Sequence, residues 1–125
     1  MKKTIIASDK IPVAGPYSAA VEACGFIFIS GQLPLDPKTG EVINDIKSAT
    51  RQVITNIQTI LDVAGLKLTN IVKTTIYLKN IADFADVNEI YAGFFPEDPP
   101  ARSTIEVSSL PKGVPIEIEA IAVRN

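Results

Sequence analysis

Apolar residues recur along the chain with two different periods, and each period predicts one kind of element. Apolar positions spaced by three and four residues from Ile46 to Ala64, with charged residues between them, predict an amphipathic helix. Gly65 is its predicted C-cap. The same spacing predicts a second helix from Phe84 to Phe94, with Asn80 as its N-cap and Pro96 closing it.

The remaining apolar segments alternate or are rich in β-branched residues, which is typical of strands. Six such segments run from Thr4 to Ala7, Tyr17 to Ala23, Phe26 to Ser30, Ile71 to Leu78, Arg102 to Ser108 and Ile116 to Val123. Asp36 to Gly40 is a predicted turn, after which Glu41 to Ile43 is expected to pair back. The order β-β-β-α-β-α-β-β predicts an α+β fold, and 125 residues suit a single domain over residues 1–125.

The last predicted strand is apolar on both faces of the sheet. Its two alternating sets are Ile116, Ile118, Ala120, Ala122 and Glu117, Glu119, Ile121, Val123. Two helices cover only one face of such a sheet, and a second copy of the chain is the simplest cover for the other. The pattern therefore predicts an oligomer without specifying the number of subunits.

Composition restricts the expected cellular location and the expected binding partners of the protein. No segment approaches the roughly 18 consecutive apolar residues of a membrane span, and the N-terminus lacks the apolar stretch of a signal peptide, so we expect a cytoplasmic protein without a membrane partner. The net charge of −2 leaves no electrostatic footprint for nucleic acid. Cys24 is the single cysteine, which excludes an intrachain disulfide.

The chain contains no histidine, and this excludes most familiar catalytic designs. Ser-His and Cys-His nucleophile pairs, histidine-ligated zinc and thiolate clusters are impossible, and no glycine-rich phosphate loop is present. We therefore expect no metal and no cofactor. A catalytic role must use groups such as arginine, glutamate or tyrosine on a substrate that is already reactive, for example an imine conjugated to a carboxylate.

Arg102 and Glu119 are the residues best suited to such chemistry. Arg102 follows a proline-rich loop, and its guanidinium can grip a carboxylate through two hydrogen bonds; the alternative is an ion pair with Glu106 or with a neighbouring strand. Glu119 shares a strand face with apolar residues, so we expect it to be partly solvated, as a general base or as a salt-bridged glutamate. We expect Glu117 to face solvent.

Five ordered stretches together resemble the Rid family, also called YjgF, whose name stands for reactive intermediate deaminase. These stretches are GPYSAAV, FISGQLPLDPKTGEV, AGLKLTNIVKTTIYL, PARSTIEVSSLPKG and IEIEAIAV, and they span nearly the whole chain. The resemblance implies a chorismate-mutase-like fold assembled as a homotrimer, with one pocket at each subunit interface.

The resemblance also implies roles for individual residues. Arg102 would anchor the substrate carboxylate, and Glu119 would position the attacking water. The other implied pocket residues are Tyr17 from the neighbouring subunit, Ser30, Gly31, Asn88 and Thr104. Many relatives have cysteine where this chain has Thr104, which puts the polarity of the pocket in doubt.

The implied activity is hydrolysis of 2-iminobutanoate and 2-iminopropanoate to 2-keto acids and ammonia. One alternative is a non-catalytic trimer that binds 2-keto acids in the same pocket. A second is an RNA-acting or protein-binding module, and the acidic balance weighs against RNA. We interpret Tyr77, Tyr91 and the five phenylalanines as core residues rather than as platforms for bases.

Overall fold

The computed structural model describes residues 2–125, which form one six-stranded sheet and two α-helices. The strands are β1 (Thr4–Ile6), β2 (Ala20–Ala23), β3 (Phe26–Gln32), β4 (Ile71–Leu78), β5 (Ala101–Glu106) and β6 (Ile116–Val123). The helices are α1 (Ile46–Val63), between β3 and β4, and α2 (Phe84–Phe94), between β4 and β5. The predicted order of elements and the α+β class are confirmed.

The spatial order of the sheet is β1-β2-β3-β6-β4-β5, so the last strand of the chain lies in its interior. Neighbouring strands are antiparallel except β4 and β5, which are parallel and are joined by α2. Helix α1 packs against β3, β6 and α2, so both helices lie on the same face of the sheet.

Local chemistry explains where the helices begin and end. The Asp45 side chain accepts a hydrogen bond of 3.0 Å from the Ser48 amide and caps α1. Gly65 follows the helix with a φ of +74°, the left-handed conformation expected of a C-terminal glycine. Asn80 caps a short 3₁₀ turn, Ile81–Asp83, that leads into α2, so it acts one turn before the helix that it was predicted to start.

The two faces of the sheet differ sharply in exposure. On the face covered by the helices, Ile116, Ile118, Ala120 and Ala122 of β6 are at most 3% exposed. On the opposite face, which we call the open face, Phe28 and Ile105 are each 47% exposed. The prediction that the helices leave one partly apolar face uncovered is confirmed.

The strand boundaries shift near the predicted site. Strand β2 begins at Ala20 rather than Tyr17, because the Tyr17 amide donates to the carbonyl of Gly15 at 2.9 Å in a tight turn. The segment after the predicted turn does pair back, through a bridge between Leu35 and Val42. Within residues 2–125, no helix has both the length and the apolar content to cross a membrane.

Candidate active site

A β-bulge lies directly opposite Glu119 on the neighbouring strand. The pairing of β3 with β6 shifts register between Ile29 and Gln32, so Ser30 and Gly31 together oppose this single glutamate. Bulges of this kind occur frequently beside active sites, where they redirect side chains and backbone groups. The structure thus brings three of the predicted site residues together.

Glu119 is exposed in the single chain, so the expectation that it is only partly solvated is wrong for one protomer. The reason is that it projects from the open face, which no helix covers. Its Oε1 atom accepts a hydrogen bond of 2.6 Å from the hydroxyl of Tyr77 on β4. One carboxylate oxygen is therefore held, and Oε2 has no protein donor among residues 2–125.

Glu117 is the more enclosed of the two neighbouring glutamates, contrary to the expectation that it faces solvent. Its carboxylate lies against Gly31, where an added Cβ would collide with it. Burial, and secondarily the negative charge of Glu119, raise the pKa of Glu117 above its ordinary value. A larger residue at position 31 would force this carboxyl group to move.

Tyr17 and Gly31 line one cavity of about 140 Å³ between the N-terminal segment and β3. Tyr17 is 56% exposed, so its ring is available at the surface. The hydroxyl of Ser30 donates to the carbonyl of Ser18 at 2.6 Å, so this side chain is already committed to the protein. Glu119, Tyr17, Ser30 and Gly31 form what we call the carboxylate half-site.

Arg102 lies elsewhere, on the edge strand β5 beside α2. The carbon at the centre of its guanidinium is 4.9 Å from the ring centre of Tyr91 and 5.4 Å from that of Phe84. Both distances are within the range of cation–π attraction. Within residues 2–125 Arg102 has no ion pair, and Glu106 instead accepts from the Ile81 amide at 2.9 Å, so the predicted alternative of an Arg102–Glu106 pair is wrong.

Two further predicted residues accompany Arg102, and the three form what we call the arginine half-site. Asn88 and Arg102 line one shallow depression between α2 and the proline-rich loop. The hydroxyl of Thr104, two residues further along β5, is buried without a hydrogen-bond partner among residues 2–125. An unpaired buried hydroxyl is costly to the folded chain.

The aromatic support of Arg102 is itself held in place. The hydroxyls of Tyr91 and Thr74 share a buried hydrogen bond of 2.7 Å. Burial raises the pKa of Tyr91 above its ordinary value, so the ring beneath the guanidinium stays neutral. The cation therefore rests on a fixed surface and not on a mobile side chain.

The two half-sites lie on opposite faces of the sheet. Arg102 pairs with Thr74, which contacts α2, whereas Glu119 pairs with Thr75, the next residue of the same strand. Consecutive residues of a strand point to opposite faces. A single chain therefore does not bring the guanidinium of Arg102 and the carboxylate of Glu119 to one point.

Two residues of this region were missed by sequence reasoning. Tyr77 was interpreted as core, but it faces the open side with Lys73 and Thr75 and bonds to Glu119. Glu117 was interpreted as a solvated neighbour. The alternation of polar residues in β4 was the available signal for Tyr77, whereas the contact of Glu117 with Gly31 depends on strand pairing that the sequence does not display.

Within residues 2–125, no group of three or more histidine, cysteine, aspartate or glutamate side chains is arranged to hold a metal ion. The side chains of the two half-sites themselves offer two kinds of chemistry. A guanidinium can bind a carboxylate, and a carboxylate with one free oxygen can orient and deprotonate water.

Comparison with known proteins shows a close relationship over the whole chain. The family model described as Endoribonuclease L-PSP matches residues 7–124. A RutC family protein of Pyrococcus horikoshii is 53% identical over 126 residues, covering all of both chains. The 2-iminobutanoate/2-iminopropanoate deaminase of Escherichia coli strain K12 is 49% identical over 128 residues, again covering all of both.

Solved structures agree with the fold. A Rid family protein of Yersinia pestis, described as of unknown function, has a TM-score of 0.93 at 47% identity and covers 98% of this chain and 99% of its own. Escherichia coli TdcF with bound serine has the same TM-score at 40% identity, with the same coverage of the two chains. A backbone match of this quality extends over both half-sites.

Proposed function

Because this chain belongs to the YjgF/Rid family, we propose that it hydrolyses reactive 2-imino acids, such as 2-iminobutanoate and 2-iminopropanoate, to 2-keto acids and ammonia. The observation that carries the proposal is the 49% identity, over the full length of both chains, with a protein named for this activity. The unpaired guanidinium of Arg102 and the half-held carboxylate of Glu119 are the groups that the reaction needs.

We propose further that the site is completed between subunits of a homotrimer. One chain holds its two half-sites on opposite faces, so only a second chain can bring a guanidinium to a carboxylate. A closed ring of identical chains gives every carboxylate half-site the same neighbour. Tyr17, Ser30, Gly31 and Glu119 would come from one subunit, and Arg102, Asn88 and Thr104 from the next.

The proposed mechanism assigns one task to each charged group. Arg102 grips the substrate carboxylate, and the Gly31 amide assists, so that the imine carbon faces a water on Glu119. Glu119 accepts a proton from that water as its oxygen adds to the carbon of the C=N bond, and then returns this proton to the nitrogen to give the carbinolamine. The carbinolamine hydroxyl next gives its proton to Glu119, which passes it to the nitrogen, so that the C–N bond breaks, ammonia leaves and the keto acid remains.

The direct test couples threonine dehydratase to the purified protein and traps the remaining imine with semicarbazide. We expect wild type to accelerate the loss of trappable imine. Arg102→Ala removes charge-assisted hydrogen bonds and should lower kcat/KM by roughly 100-fold or more. Arg51→Ala, an exposed arginine of α1 outside both half-sites, is the matched control and should behave as wild type.

Mixed trimers test whether the site is shared between chains. Arg102→Ala and Glu119→Gln are each expected to be nearly inactive alone, because each lacks one half of every site. Unfolding and reassembling them together at equal amounts should restore about a quarter of the sites, since random closed rings pair an intact arginine with an intact glutamate at that frequency. Failure to regain activity, with mixed trimers demonstrated by mass spectrometry, would contradict a shared site.

A non-catalytic trimer that binds 2-keto acids is the second candidate. It is favoured by the neighbour described with bound serine, a small carboxylate that TdcF binds. Such a protein would bind 2-ketobutanoate and leave the decay of the imine unchanged. The family description also names an endoribonuclease, but 14 acidic against 12 basic residues and the absence of histidine weigh against RNA cleavage here.

The proposed reaction requires neither metal nor cofactor. The proposed binding partners of the chain are the imino acid and two further copies of the chain. These points, and a cytoplasmic location, stay predictions. Supplementing the coupled assay with a chelator checks the first of them, because the rate should be unchanged.

A further inference from the structure

The hydrogen bond between Tyr77 and Glu119 crosses from β4 to β6 on the open face. In the antiparallel register Tyr77 lies directly opposite Glu117, and Thr75 lies opposite Glu119. The phenol nevertheless donates diagonally, to Oε1 of Glu119 at 2.6 Å. The carboxylate directly opposite Tyr77 is instead turned toward Gly31. The pairing is therefore selective between two glutamates on one strand.

The phenol of Tyr77 stays protonated at neutral pH and therefore remains a hydrogen-bond donor. Its hydrogen bond to Glu119, together with burial and the charges of Glu119 and Glu117, raises the pKa of Tyr77 to about 12. The titratable groups on this face of β4 and β6 are Lys73, Tyr77, Glu117 and Glu119. Lys73 is engaged with the Thr74 carbonyl at 2.9 Å, so the phenol is the donor that holds the Glu119 carboxylate.

We propose that Tyr77 is a positioning residue that holds Oε1 of Glu119, so that Oε2 alone binds and deprotonates the attacking water. This inference rests on the proposed function and adds to it a residue that acts through the base. A carboxylate free to rotate about its side-chain bonds presents either oxygen in many directions. Fixing one oxygen limits the other to a single direction, which favours attack from a defined position.

The first test is Tyr77→Phe, which removes the hydroxyl and keeps the ring. We expect kcat for the imine to fall about tenfold with little change in KM, because the lost hydrogen bond acts on the base and not on substrate binding. Thr59→Val, which removes an exposed hydroxyl of α1 bonded to the Thr55 carbonyl, should change neither quantity.

The second test is a double-mutant cycle with Glu119→Gln. If Tyr77 acts through Glu119, adding Tyr77→Phe to Glu119→Gln should cause no further loss of kcat. An equal loss in both backgrounds would overturn the inference, and so would a Tyr77→Phe variant that matches wild type in kcat. If wild type does not accelerate imine decay, the proposed function fails, and the inference fails with it.

The third test needs no activity at all. Tyrosine labelled with ¹³C at the ring carbon bearing the hydroxyl reports the ionisation of Tyr77, assigned by its absence from Tyr77→Phe. The pKa of Tyr77, about 12 in wild type, should fall in Glu119→Gln, because the negative acceptor that raises it is gone. An unchanged titration would overturn the inference even in an active enzyme, and leave the proposed function standing.

Discussion

The two faces of the six-stranded sheet differ in what covers them and in the side chains that they expose. The covered face is closed by α1 and α2, and its β6 side chains are at most 3% exposed. The open face combines apolar residues, such as Phe28 and Ile105 at 47% exposure each, with Tyr77, Glu117 and Glu119. One face completes the core of a single chain, and the other exposes apolar side chains beside a tyrosine and two glutamates.

This contrast explains why the candidate site is divided. Arg102 belongs to the covered side, where the rings of Phe84 and Tyr91 hold it at the edge beside α2. Glu119 belongs to the open side, where its only side-chain partner among residues 2–125 is Tyr77. A reaction that needs both groups therefore depends on contact between chains, so that assembly and activity should be lost together.

The sharpest way to test the contrast uses two isoleucines of one strand. Ile118 is 1% exposed on the covered face, and Ile121 lies on the open face. Ile118→Ala should lower the free energy of unfolding by about 2–5 kcal/mol at any protein concentration, because it leaves a cavity in the core. Ile121→Ala should act mainly on association, so that its effect in urea unfolding depends on protein concentration. Similar, concentration-independent losses in both variants would contradict the division of roles.

A charge on the open face should prevent association without unfolding the chain. Phe28→Asp replaces an exposed aromatic side chain that would be buried between copies, and its carboxylate would then have to lose water. We expect association between subunits to weaken by about tenfold or more, measured by sedimentation, with an unchanged far-UV spectrum. Imine hydrolysis should fall in parallel. Val63→Asp, at an exposed position of α1, is the control and should remain assembled.

The smallest expected effect concerns the charge of Glu117. Because burial raises its pKa, its charged form is disfavoured in the folded state, and this cost is present above the folded-state pKa and absent below the unfolded value of 4.5. Glu117→Gln should therefore raise the Tm at pH 7 by about 2 °C, and the gain should vanish as the pH falls to about 4. Scanning calorimetry at fixed protein concentration measures it. Glu97→Gln, an exposed glutamate, should show no such pH-dependent gain.

Much of the fold was predictable because its signals are local. The apolar spacing of α1, the cap at Asp45 and the left-handed glycine at position 65 all act within a few residues. The two alternating sets of side chains in β6 likewise predict that both faces of the sheet are partly apolar, although helices cover only one of them. The start of β2 moved because the Tyr17 amide bonds to the Gly15 carbonyl in a tight turn, a local contact that the apolar pattern does not indicate.

The candidate site was predictable as a set of residues and not as an arrangement. Arg102 and Glu119 were identified from their residue types, their strand positions and the family resemblance. Their separation by the sheet follows from strand register, in which Thr74 and Thr75 pair with different partners. The roles of Tyr77 and Glu117 also come from cross-strand contacts.

By itself, the sequence determined which elements form, which face of each is apolar and which chemistry is excluded, because periodicity, caps and residue types are properties of neighbouring positions. Only the tertiary structure decided which side chains meet: the phenol of Tyr77 with Glu119, the carboxyl of Glu117 with Gly31, and Arg102 with two rings. The physical reason is that these contacts depend on the pairing of strands far apart in the chain, and a shift of one residue would turn every side chain to the other face.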